Sequence, residues 1–126
     1  MIEKRINEIV HNTAAAMECK ANVDITFFYP PTINAVKETE HIKRLTIEHF
    51  GPQHFSTEGM PVCFSEDFAY FLQKVPGSYF CLGTKKPNEE AGTLHTSTYD
   101  FNDDMVATGG WFWVKLVEDR LNAKLM

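Results

Sequence analysis

His95 is the side chain in this sequence best placed to do chemistry. It lies in Gly92-Thr93-Leu94-His95-Thr96-Ser97, after a strand-like stretch and before a helix-like one. Loops beyond strand ends are where α/β folds place their sites. A neutral imidazole there can ligate a metal or act as a general base; spacing alone equally allows a surface or capping histidine, the commoner role. Glu66 and Asp67 follow in interest, adjacent carboxylates behind Ser65. Adjacent helical residues do not share a face, so the two do not form an acid/base dyad. They read first as stabilisers of a helix N-terminus, and otherwise as support for a nearby site.

The remaining candidates are weaker. His41, His49 and His54 lack the i, i+4 pairing and the His-Glu-x-x-His frame of a helical zinc motif. They read as surface or partly buried side chains. Cys19, Cys63 and Cys81 form no C-x-x-C and no close pair. An odd count of that kind argues for small buried thiols in a reducing, cytoplasmic setting rather than a disulfide framework. No glycine-rich phosphate loop and no G-x-S-x-G elbow is present. A catalytic zinc needs three protein ligands and an open position. The residues themselves offer one plausible ligand, His95, and assign no catalytic residue.

The elements that must position these groups follow from periodicity. Ile2, Ile6, Ile9, Thr13 and Met17 recur at helical spacing and predict a helix over 2–17. Val23, Ile25 and Phe27 alternate with Asp24, Thr26 and Phe28, predicting a strand over 21–29 that Pro30-Pro31 ends. Residues 35–50 predict a second helix stopped by Gly51-Pro52. Val62 to Phe64 suggests a short buried strand. Ser65 looks like an N-cap for a helix that Pro76-Gly77 ends. Ser78 to Leu82 is a strong strand candidate, and Lys85 to Gly92 reads as a polar loop. Asn102 is the expected N-cap of a last helix running to Leu125, with Gly109-Gly110 pointing to close packing or a mild kink. Three successive aromatics, Trp111, Phe112 and Trp113, imply that this helix is buried on more than one side.

Length and composition bound the rest. At 126 residues the chain is one domain or a piece of a larger one. Its 44% apolar and 23% charged residues exclude extensive disorder. A net charge of −5 makes a phosphate-backbone partner improbable. The apolar runs are too short for a membrane helix, and no secretory leader is visible. Ten Phe residues require a substantial core or interface. Helices alternating with short apolar strands favour an α/β layer arrangement.

The motifs also combine in order. Tyr29-Pro30-Pro31-Thr32-Ile33-Asn34 precedes Ser65-Glu66-Asp67-Phe68-Ala69-Tyr70. Then come Val75-Pro76-Gly77, Leu82-Gly83, Leu94-His95, Tyr99-Asp100-Phe101 and Asn102-Asp103-Asp104. This series closely resembles the C-terminal portion of the metal-dependent amidohydrolases typified by hippurate hydrolase and the plant indoleacetyl-amino-acid hydrolases. That group belongs to the aminoacylase and carboxypeptidase family of zinc exopeptidases.

The resemblance implies an α/β catalytic domain, a sheet flanked by helices, with a ferredoxin-like lid inserted into it. Residues 1–29 would be the last helix and strand of the lid, and residues 30–126 the C-terminal part of the catalytic domain. His95 matches the family's C-terminal metal ligand, for a two-metal site of Zn, Mn or Co. Ser65, Glu66 and Asp67 would support that site without binding metal. The family's other ligands and its general base lie in a first half that has no counterpart in these 126 residues. The resemblance therefore implies a chain that is inactive by itself, or a non-catalytic interaction module. Its expected partners are a second copy or a complementary N-terminal half, with N-acyl amino acids as substrates of the complete enzyme. Thr96 stands where the family often has a second histidine, and Phe64 where it commonly has glycine.

Overall fold

The structure, a computed structural model, describes residues 1–86 and 92–125. Residues 87–91 of the expected Lys85–Gly92 loop lie outside the described residues. The chain separates into two compact units, Met1–Pro30 and Pro31–Met126.

In the first unit, the isoleucine spacing produces helix α1, Ile2–Ala16. Its end has the two-bond geometry of a left-handed cap. Glu18 takes φ 55, where glycine is usual, and Cys19 N–H donates to Ala14 O at 2.8 Å. No residue of α1 is buried. The predicted strand over 21–29 is not one, and neither is a ferredoxin-like lid supported: among the described residues there is no strand at all. Alternation decides which side chains share a face; it does not supply the neighbouring ladder that a strand needs for its N–H and C=O groups.

The second unit holds α2 (Val36–Phe50), a 3₁₀ turn (Pro52–His54), α3 (Phe68–Leu72) and α4 (Asp104–Leu121). Gly51, at φ 93, ends α2 in a conformation that β-carbons resist. Helix α4 lies against α2 through aromatic rings. Phe50 meets Trp111 at 5.4 Å and Phe112 at 5.9 Å between centroids. The fully apolar burial is small. Leu45, Ala69 and Phe112 are the buried hydrophobic residues among those described.

This arrangement corrects several expectations. The sheet flanked by helices is absent from the described residues; the predicted strands Val62–Phe64 and Ser78–Leu82 lack ladder partners. Helix α3 is five residues long, and Ser65 does not cap it. Ala69 and Tyr70 N–H bond instead to the Glu66 and Asp67 carbonyls at 3.3 and 2.9 Å, a tight turn that needs no side-chain cap. Helix α4 stops at Leu121, because Asn122 turns left-handed at φ 49. Of its three successive aromatics only Phe112 is buried; Trp113 is 59% exposed. All three cysteines are exposed rather than buried. Of the glycine pair, Gly109 is the one that is approached closely: a β-carbon there would sit 3.3 Å from the Leu82 side chain, while Gly110 faces open space.

Charged side chains clamp α2 to α4. Asp119 accepts from Arg44 at 2.6 Å and from the His41 Nε2 at 2.7 Å. Glu38 accepts from Arg120. The hydrogen bond from Arg44, then that from His41, holds the Asp119 carboxyl below its ordinary range; Arg120 does the same for Glu38. A depressed carboxylate stabilises the fold above its unfolded pKa, and that contribution is lost as pH falls through the folded one. Thermal midpoints should therefore fall as pH is lowered from about 6 to about 3. Asp119→Asn should flatten that acid limb, and added salt should shrink it, because the clamp is solvent-exposed.

Candidate functional site

The Leu94-His95 loop is shaped by its own backbone. Thr96 donates to Thr93 O through both its N–H, at 3.2 Å, and its hydroxyl, at 2.6 Å. Tyr99 N–H then reaches Thr96 O at 3.2 Å. His95 is the third residue of the Thr93–Thr96 turn and takes the left-handed region at φ 66. Histidine is among the few residues that adopt it with some frequency, and non-glycine residues held there cluster at functional sites. The His95 ring is exposed.

Beside this loop lies a recess of about 410 Å³. Among the described residues it is lined by Leu82, Leu94, Tyr99 and Phe101, by Thr84 and Lys85, and by Gly83 and Gly92. Gly92 is required there, since a β-carbon would stand 2.5 Å from the Thr98 carbonyl carbon. Asn102 ties the two sides together by donating to Thr84 O at 3.1 Å.

The Ser65-Glu66-Asp67 motif sits elsewhere in the unit. Glu66 is half-buried and accepts from the Tyr79 hydroxyl at 2.9 Å. That bond, together with partial burial, pushes the Tyr79 phenol above its ordinary range. Tyr79 is in turn held by Asn34, whose amide donates to Tyr79 O at 2.7 Å and accepts from Tyr79 N–H at 2.8 Å. One side chain thus does for residue 79 what a neighbouring strand would do. Asn34, Tyr79 and Glu66 join two motifs far apart in sequence. Tyr79 was missed by sequence reasoning, which read it as an ordinary strand residue; an aromatic hydroxyl among apolar neighbours was the available signal. Ser65 and Asp67 are exposed, and neither hydrogen-bonds through its side chain to His95.

His41, His49 and His54 have structural roles. His41 joins the clamp, His49 packs edge-on to Trp111 at 5.0 Å, and His54 packs on Phe50 at 6.3 Å. Among the described residues no three His, Cys, Asp or Glu side chains converge to hold a metal ion. His95 would be a single ligand, too few for a catalytic metal centre.

Comparison with known proteins gives the family. The sequence profile of peptidase family M20/M25/M40 matches residues 3–119, and the chain belongs to that family. Its relatives include the IAA-amino acid hydrolase ILR1-like 2 of Arabidopsis thaliana, 28% identical over 98% of this chain and 29% of the relative. Hippurate hydrolase of Campylobacter jejuni is 27% identical over 92% of this chain and 29% of the relative. Thermostable carboxypeptidase 1 of Saccharolobus solfataricus is 35% identical over 75% of this chain and 23% of the relative. The chain spans less than a third of the length of these curated relatives. No solved structure gives a significant match. Among the described residues no helix is long and apolar enough to cross a membrane.

Proposed function

We propose that this chain is part of a metal-dependent amidohydrolase that cleaves the amide bond of N-acyl or N-aroyl amino acids, and that His95 supplies one metal ligand. The observation that carries the reading is His95 held at φ 66 directly after Leu94, which lines an apolar recess. The relatives named as hippurate and IAA-amino acid hydrolases support the substrate class. The remaining ligands would come from a partner segment, either a complementary N-terminal half or a second copy. The 126 residues alone would then be inactive. Glu66, fixed by Tyr79, would keep the surrounding loops in register, with Ser65 and Asp67 beside it.

The test is metal content. In the metal-loaded complex of this chain with that partner segment, His95→Ala should lower bound Zn, Mn or Co by roughly tenfold or more, as measured by elemental analysis. His95→Asn controls for the backbone, because asparagine tolerates the left-handed region while lacking the imidazole. Unchanged metal content in both variants would sink the ligand assignment. A second reading, a non-catalytic interaction module, is favoured by the absence of a three-ligand cluster among the described residues. Hippurate hydrolysis by the purified chain above the metal blank would eliminate it.

A further inference from the structure

Helix α4 carries two seams. On the inner one Phe112 is buried, and Gly109 lies against the Leu82 side chain. The outer one is Asp103, Val106, Gly110, Trp113, Val117 and Arg120, which recur at alternating steps of three and four residues. That is the spacing of a coiled-coil seam, a line of side chains that winds slowly around the helix. All six residues are exposed. Val106, Trp113 and Val117 are 63%, 59% and 41% exposed, and a β-carbon on Gly110 would meet nothing within 4 Å. Trp113 keeps this exposure although its ring packs on Phe80 at 5.5 Å. Three apolar side chains in one exposed line are surface that a partner would remove from water.

We propose that the outer seam of α4 pairs antiparallel with the same seam on a second copy of the chain. The order of residues is self-complementary in that direction. With the midpoint between Gly110 and Trp113 as the two-fold axis, Asp103 falls opposite the second copy's Arg120, Val106 opposite its Val117, and Gly110 opposite its Trp113. Carboxylate meets guanidinium, valine meets valine, and the indole lies over the one position without a β-carbon. Each pair then occurs twice, as a two-fold interface requires. Parallel pairing would set Trp113 on Trp113, Asp103 on Asp103 and Arg120 on Arg120, crowding the rings and opposing like charges. Antiparallel pairing also brings opposite ends of the two helix dipoles together. Arg120 already donates to Glu38, yet its side chain is 56% exposed. A guanidinium has five N–H donors, enough to hold a second carboxylate. Asp103 makes no side-chain hydrogen bond as the N-cap of α4. A single helix face belongs at the small end of interface sizes, below roughly 1,200 Å², so the dimer is a weak one. This interface goes beyond the metal-ligand reading and does not depend on it.

The experiment is sedimentation equilibrium of the purified chain, with circular dichroism to check that each variant keeps its helices. The chain should show a monomer–dimer equilibrium with a dissociation constant on the order of tens of micromolar. Gly110→Glu, a change into open space that spares the monomer, should weaken the dimer roughly tenfold or more, because it puts a charge under the indole. Val117→Glu should do the same. Asp103→Asn should weaken it by roughly a few-fold, the worth of exposed ion pairs. A chain that stays monomeric, a dimer that Gly110→Glu leaves intact, or a dimer that Asp103→Asn tightens would overturn the proposal. So would a monomeric chain that binds the complementary N-terminal half and loses that binding in Gly110→Glu, since the seam would then belong to that half. The readout needs neither metal nor turnover, so its failure and a failure of the His95 metal test are told apart.

Discussion

Phe112→Ala should cost about 3–5 kcal/mol of stability, the range for truncating a buried aromatic. The reason for placing it at the top of that range is how little else is buried. Phe112 is 7% exposed, and only Leu45 and Ala69 share its class among the described residues. Its ring meets Phe50 of α2 at 5.9 Å and Phe80 of the 78–84 segment at 5.6 Å. One side chain therefore joins both helices to the segment that carries Tyr79 and leads to the recess. Removing it leaves a cavity bounded by three elements that no ladder holds together. Urea denaturation followed by tryptophan fluorescence should show loss of a cooperative transition, since a small domain has only about 5–15 kcal/mol in total. Val106→Ala, at a position 63% exposed on the same helix, should stay within about 0.5 kcal/mol. Equal effects at the two positions would mean that the helices are not organised around Phe112.

Gly92→Ala should be nearly as severe and more local. The added β-carbon would be driven into the Thr98 carbonyl group and to 2.7 Å from Tyr99 N. These are backbone atoms, so no rotamer change relieves the clash. The loop must open, at a cost of about 1–3 kcal/mol or more. Opening it disturbs the Thr93–Thr96 turn that carries His95 at φ 66. The expected signature is a loss of the left-handed coupling at His95. Gly83→Ala and Gly110→Ala face open space and should leave that coupling unchanged. An intact His95 conformation in Gly92→Ala would show that the loop does not depend on that close approach.

The helical part of this fold was legible in the sequence because helices close their hydrogen bonds locally. The 3.6-residue spacing of Ile2, Ile6 and Ile9, and the glycine at position 51, bring the expected boundaries of α1 and α2 within a residue of the observed ones. Non-local pairing was not legible. Val23, Ile25 and Phe27 alternate as a strand would, yet a strand exists only where another backbone lies alongside it. The expected core failed for a related reason. Composition counts ten Phe residues, but it carries no record of which of them meet. Phe27, Phe28 and Phe71 remain 61–75% exposed.

The site divides along the same line. Sequence by itself determined the family, through an ordered series of short motifs, and it singled out His95 by residue type and position in that series. Only the tertiary structure decided that His95 is left-handed within the Thr93–Thr96 turn, that Gly92 is indispensable to the shape of that loop, and that a recess opens beside it. It alone joined Asn34 to Glu66 through Tyr79. Motif order is written in one dimension and survives in a single chain. Hydrogen bonds between residues 45 positions apart, and the space left between two loops, come into being only when the chain has closed on itself.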